Sequence, residues 1–201
     1  MDANTLNGIF AHFGKNVKVI MMIRHGHKTP DGTRITTDCL KDIMDNGFPG
    51  LTTQVNVLQH GSEFIRTDQT GLAAALWILN NGGDIIKHLP DDYRLGHKPF
   101  FDLYTPEVKD LIAKNGWKNY ETLAETNNEE LQRFQSALSV LIKQIFNNIE
   151  ENNVVLVPAH SPTVEAAFNF FAAEPDPRIE FKELEGICLV ETESGKIVPV
   201  R

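Results

Sequence analysis

The fold class predicted by this 201-residue sequence is a three-layer α/β/α sandwich around a mostly parallel central sheet. Three observations predict it. Residues 17–23 (VKVIMMI) and 154–158 (VVLVP) are apolar runs of strand length with no polar face, as expected of strands covered on both sides. Amphipathic stretches with helical spacing lie between and after them. The tail, 187–191 and 197–200 around Ser194-Gly195, reads as a hairpin.

The elements follow in chain order. The 17–23 strand ends at Arg24-His25-Gly26. A weaker strand at 55–58 leads into a helix over about 62–80, with Ile65, Leu72, Ala75, Leu76 and Leu79 expected to face inward. Thr105-Pro106-Glu107 carries a helix start signal. The clearest helix runs over 129–149, where Leu131, Phe134, Leu138, Leu141, Ile142, Ile145 and Ile149 recur at spacings of three and four. A last helix is expected from Ser161, with Ser161 as N-cap and Pro162 at the first helical position. The chain reads as one domain over 1–201, with an insertion at about 82–128 that would set substrate specificity.

Composition narrows the function classes. Apolar residues make up 41% and charged residues 23%, an ordinary globular balance that excludes disordered, collagen-like and coiled-coil chains. The net charge of −8 argues against nucleic acid or an anionic membrane as the main partner. No stretch reaches the roughly 18 apolar residues of a membrane helix, and the first residues lack a basic segment followed by a long apolar run. Cys39 and Cys188 form no C-x-x-C pair and read as reduced structural thiols. The expectation is a soluble, cytoplasmic protein; oligomeric state is not readable.

The residues that carry chemistry stand at strand ends. In open α/β sheets the loops beyond the carboxyl ends of the strands form the usual site. His25 follows the first run and His160 the VVLVP run, so neighbouring strands would bring two imidazoles, 135 positions apart, into one crevice. Arg66, near the start of the 62–80 helix, sits beside the positive end of a helix dipole, where a cation is unfavourable unless an anion is present. Together these suit a phosphate monoester. Arg24 and Arg66 offer bidentate donors, and the helix start at Ser161 adds backbone N–H groups. Nearby guanidinium charge would depress the pKa of His25 and keep it nucleophilic. Attack on phosphorus would give a phosphohistidine that water then hydrolyses, with His160 stabilising the transition state.

Arg24-His25-Gly26, Ser62-x-Phe64-x-Arg66-Thr67-x-x-Thr70 and His160-Ser161, in this order and register, resemble the histidine phosphatase superfamily, whose branches include phosphoglycerate mutases and histidine acid phosphatases. Ile35-Thr36-Thr37-Asp38-Cys39 is similar to the family's Leu-Thr-x-x-Gly segment, with Cys39 replacing Gly. The resemblance runs from about residue 17 to the terminal hairpin. It implies a phosphoglycerate mutase-like fold, no cofactor, no metal and a small phosphorylated substrate. It also implies His25 as nucleophile, with Arg24, Arg66 and His160 binding the phosphoryl group.

Branch features are mixed. Arg24-His25-Gly26-His27-Lys28-Thr29-Pro30 resembles the acid-phosphatase pattern R-H-G-x-R-x-P, with Lys28 in place of Arg, which keeps the charge but loses the fork. That branch has Asp after its second histidine; this chain has Ser161. Expulsion of an alkyl oxygen requires a proton donor. His97 falls where the mutase branch places its Glu, and Asp102 and Glu107 compete with it. A phosphomutase and a non-catalytic phosphate-ester-binding protein are the alternative functions.

Other readings rank lower. His25-x-His27 resembles a metal pair of amidohydrolase barrels, but such barrels need about 250 residues. Ser161 lacks the G-x-S-x-G elbow of a serine nucleophile. Asn80-Asn81-Gly82-Gly83 is a turn with no following Lys-Ser/Thr. Tyr93, Phe100, Phe101 and Tyr104 are pocket wall or core.

Overall fold

The computed structural model describes residues 6–14, 16–59, 64–95, 103, 105–115, 118–126 and 128–201. Among them are six strands: β1 Lys18–Arg24, β2 Val57–Gln59, β3 Lys87–Leu89, β4 Val154–Ala159, β5 Gly186–Glu191 and β6 Ile197–Val200. The helices are α1 Leu6–Phe13, α2 Thr37–Asn46, α3 Ile65–Asn80, α4 Pro106–Lys114, α5 Asn119–Thr126, α6 Asn128–Asn147 and α7 Ser161–Phe171. Among the described residues no helix is long and apolar enough to cross a membrane.

The sheet order is β3-β2-β4-β1-β5-β6. The first four of these strands pair in parallel, while β5 and β6 are antiparallel, so the C-terminal hairpin closes one edge. The two apolar runs are the central neighbours β1 and β4, paired Met21 to Leu156 and Arg24 to Ala159. All six residues of β4 are buried, which is why this strand needs no polar face. On one side Val19, Met21 and Ile23 of β1 pack with α1, α2 and α3. On the other, Ile20 and Met22 pack with α4 to α7. The expected three layers result from this alternation of side chains about the strand.

Gly186 shows how closely β1 and β5 approach. A Cβ there would lie 2.0 Å from the Met22 carbonyl oxygen, so only glycine fits.

Two expectations need correction. Ile65, Leu72, Leu76 and Leu79 of α3 do not face inward; each is 45–51% exposed. The buried face carries Arg66, Thr67, Thr70, Gly71, Ala73, Ala74, Ala75 and Ile78, so of the inward set only Ala75 holds. Both faces have helical period, and the sheet selects the one with small residues because the helix can then pack close to Leu58 and Pro158. The second correction concerns α7. Its N-cap is His160, whose side chain makes no capping bond; Ser161 is the first helical residue and Pro162 the second. At α4 the prediction holds, with Thr105 Oγ1 accepting the Val108 N–H at 3.3 Å. Helices α1, α2 and α5 and strand β3 have no counterpart in the sequence reading.

Candidate active site

The ends of β1 and β4 bring the two histidines together. The register pairs Arg24 with Ala159, and the His25 N–H donates to the Ala159 carbonyl at 2.9 Å, so the next residue on each strand is a histidine. The imidazole centroids lie 5.2 Å apart with planes at 68°. His25 is 5% and His160 2% exposed.

Arg66 joins them. It stands in the first turn of α3, 7% exposed. Its Nε donates to His25 Nε2 at 3.1 Å, and its Nη2 lies 3.3 Å from His160 Nδ1. Its Nη1 donates to the Gly32 carbonyl. The Phe64 ring sits 4.2 Å under the guanidinium and meets the His160 ring edge-on at 5.5 Å. Such cation–π stacking holds the fork in one plane. Phe64 and Thr70, two positions of the Ser62-x-Phe64-x-Arg66-Thr67-x-x-Thr70 segment, both hold this arrangement in place. Thr70 Oγ1 accepts the Gly26 N–H at 3.1 Å while its hydroxyl donates to the Arg66 carbonyl, tying the turn after β1 to α3.

His25 is held in one tautomer. Its Nδ1 is 2.8 Å from the Gly26 carbonyl, which can only accept, so Nδ1 carries the hydrogen and Nε2 the lone pair. Burial, above all, pushes its pKa down to about 4; the Gly26 carbonyl opposes this, and Arg66 and Arg24 add to it. The cause differs from the one expected: desolvation outweighs guanidinium charge. Gly26 is needed for this geometry, since a Cβ there would lie 2.5 Å from Cys39 Sγ.

Arg24 is placed differently from Arg66. Its Nη1 donates to the Phe181 carbonyl at 2.8 Å and its Nη2 to Glu183 at 3.1 Å, while Nε is buried with no partner among the described residues. Its guanidinium therefore spans the turn before β5 and acts on His25 through its charge. The sequence gives no signal for Glu183, which lies 159 positions from Arg24. Lys28 is exposed, and its backbone bridges to Ile35. His27 is exposed, 4.0 Å from Glu183. Among the described residues no group of three or more His, Cys, Asp or Glu is placed to hold a metal ion.

The expected proton donors divide. His97 and Asp102 lie outside the described residues, as do Phe100, Phe101, Tyr104 and the side chain of Tyr93. Glu107 is exposed in the first turn of α4, where hydrogen bonds from its own backbone N–H and from Thr105 hold its carboxyl below the usual range. Ionised at neutral pH, it has no proton to give.

One buried acid was not foreseen. Glu165, one turn beyond Ser161, is 1% exposed. Its Oε1 accepts from Ser161 Oγ at 2.7 Å and from the Phe181 N–H at 3.0 Å, and Oε2 has no partner among the described residues. Burial pushes its pKa up to about 8, against those hydrogen bonds and the Arg24 charge. The i,i+4 spacing from Ser161 was readable in the sequence, because such residues share a helix face.

No family model and no curated protein matches this chain. Solved structures do. A mycobacterial glucosyl-3-phosphoglycerate phosphatase is similar over 90% of this chain and 95% of its own, with TM-score 0.56 and 14% identity. Its complex with VO3 gives TM-score 0.51 at 14% identity, over 90% and 96%. A protein described as mycobacterial hydrolase 1 gives 0.52 at 13% identity, over 92% and 96%. At such identity the likeness shows the fold, and it is the α/β/α fold that the resemblance implies.

Proposed function

We propose that this chain is a phosphatase of the histidine phosphatase type, hydrolysing a small phosphate monoester in two steps through a phosphohistidine on His25. One observation carries the reading: a single buried guanidinium contacts both His25 Nε2 and His160 Nδ1. A dianionic phosphoryl group bound beside the histidines would accept from Arg66 and His160 while the His25 Nε2 lone pair faces phosphorus.

The tautomer supports the same step. With Nδ1–H on the Gly26 carbonyl, the Nε2 lone pair points toward Arg66. Phosphoryl oxygens carry more charge than an imidazole nitrogen and are the better acceptors, so a bound ester takes over the Arg66 donors and frees Nε2 to attack. The Nε2–P bond forms as the ester P–O bond breaks, and its electron pair leaves on the alcohol oxygen. Charge on the equatorial oxygens is met by Arg66 and His160. Water then attacks phosphorus, the N–P bond breaks and phosphate leaves. No metal takes part in this scheme.

The test is p-nitrophenyl phosphate hydrolysis followed by 31P NMR of the rapidly quenched, denatured protein. Turnover with an acid-labile N–P resonance mapped to residue 25 is expected. Tight vanadate binding without turnover would make the chain a phosphate-ester-binding protein instead. Phosphate transferred to an added alcohol or second phosphoester would mark a mutase.

A further inference from the structure

The turn from Phe181 to Glu185, just before β5, wraps around Arg24. The Leu184 N–H donates to the Arg24 carbonyl at 3.1 Å, and the Arg24 N–H donates to the Glu185 carbonyl at 2.9 Å. The side chain is held as well, with Nη1 on the Phe181 carbonyl and Nη2 on Glu183 Oε1. Buried Glu165 anchors the start of the turn by accepting the Phe181 N–H at 3.0 Å. Leu184 closes it at a φ of 63°, in the left-handed region. That conformation is unfavourable for so large a side chain, so the surrounding bonds must hold it there. The strained residue is the one directly after Glu183.

Two consequences follow for an anion beside His25. The Arg24 fork is directed at the turn and its Nε is buried from solvent, whereas the Arg66 guanidinium reaches both imidazoles. Glu183 also brings a negative charge within electrostatic reach of His25. A carboxylate in that place repels a dianion. Both effects loosen the hold on a phosphoryl group. Contacts that hold substrate, transition state and product alike do not raise turnover, and a product held too tightly slows it.

We propose that Glu183 is a positioning residue that holds Arg24 off the phosphoryl group and so sets how weakly the site retains its product, inorganic phosphate. The proposal rests on the phosphohistidine reading above, since only a site that turns over has phosphate to release. Glu183 acts through Arg24 and through its charge rather than by touching the reacting atoms. Burial alone would raise its pKa, but its own backbone N–H, Arg24, His27 and His25 outweigh this and keep it below the usual range, so the carboxylate is charged at neutral pH. A carboxyl that only braced the turn has a different signature: its loss would leave anion binding unchanged or weaken it, whereas release of Arg24 strengthens it.

The experiment compares the wild type with Glu183→Gln, whose amide oxygen can still accept from Arg24 but carries no charge, and with Glu183→Ala, which releases Nη2. Vanadate binding is measured by calorimetry, and phosphate inhibition of p-nitrophenyl phosphate hydrolysis by steady-state kinetics. Both variants are expected to bind vanadate about tenfold more tightly, the lower end for a hydrogen bond to a charged group. KM for the ester and the inhibition constant for phosphate are expected to fall alongside, while kcat does not rise. Unchanged or weaker vanadate binding in both variants would assign Glu183 to bracing the turn and overturn the proposal. Should neither variant fold, the wild type decides by side-chain nitrogen NMR, with the signals assigned through Arg24→Lys. Vanadate is expected to shift the Arg66 signals and leave those of Arg24 in place; equal movement of both would put the Arg24 fork on the anion and overturn the proposal. Failure of the underlying reading is distinct: wild type inert toward p-nitrophenyl phosphate, or His25→Ala still active.

Discussion

His25 at the end of β1 and Glu165 on α7 are the two most instructive points of the molecule, because the same physics acts on them in opposite directions along the pH scale. Both are almost fully buried. Burial disfavours charge, so it lowers the imidazole to about 4 and raises the carboxyl to about 8. Between those values one group holds a free lone pair and the other a proton. A neutral base and a neutral acid thus coexist at the same pH through a single cause, with Arg24 near both. The contrast lies in their contacts. His25 is oriented on both nitrogens, by Gly26 and Arg66, whereas Glu165 is fixed on one oxygen only.

The strongest way to break this comparison is His25→Ala. Turnover of p-nitrophenyl phosphate is expected to fall by at least about a thousandfold, with an unchanged circular dichroism spectrum. Near wild-type activity would end the nucleophile assignment. Next in size is Arg66→Ala, which removes the donor shared by the imidazoles; vanadate binding is expected to weaken by about 1.5–3 kcal/mol, measured by calorimetry. An unchanged affinity would take Arg66 out of the site.

NMR titration of ring nitrogens sharpens the first half of the comparison. His25 is expected to stay neutral, with hydrogen on Nδ1, until the pH falls to about 4. Titration near 6.5 would show that burial does not govern it.

Stability against pH tests the two groups together. The His25 value is lower in the folded than in the unfolded chain, so its contribution is complete above about 6.5 and is lost as pH falls toward about 4. The Glu165 value is higher in the folded chain, so its contribution is complete below about 4.5 and is lost as pH rises through about 8. The two slopes oppose each other between about 4.5 and 6.5, and only Glu165 acts from there to about 8. Because His25 contributes equally to both proteins, urea melts of wild type and Glu165→Gln are expected to diverge from about pH 4.5 up to about 8, the wild type losing at most about 1.4 kcal/mol per pH unit relative to the variant. Parallel curves would mean that Glu165 does not titrate there.

What could be read from the sequence had a local cause. The strand runs were legible because burial on both faces leaves no polar residue between Lys18 and Arg24 of β1 or anywhere in β4. Long helix α6 and the start of α4 were legible through their own period and cap. Helix α3 was legible as a helix but not in its orientation, because large apolar residues mark one face and the sheet uses the other. Short elements such as β3 and α5 carry too few residues to show a period.

The sequence alone therefore determined that His25 and His160 stand at strand ends and Arg66 at the start of a helix, on a layered α/β scaffold. Only the tertiary structure decided that β1 and β4 are neighbours, that Arg66 touches both imidazoles while Arg24 turns to Phe181 and Glu183, and that Glu165 is buried behind Ser161. The reason is one of range. Strand and helix patterns are set by residues a few positions apart, but desolvation and the hydrogen-bond partners of the Arg24 and Arg66 side chains depend on segments 34 to 159 positions away, which no local pattern records.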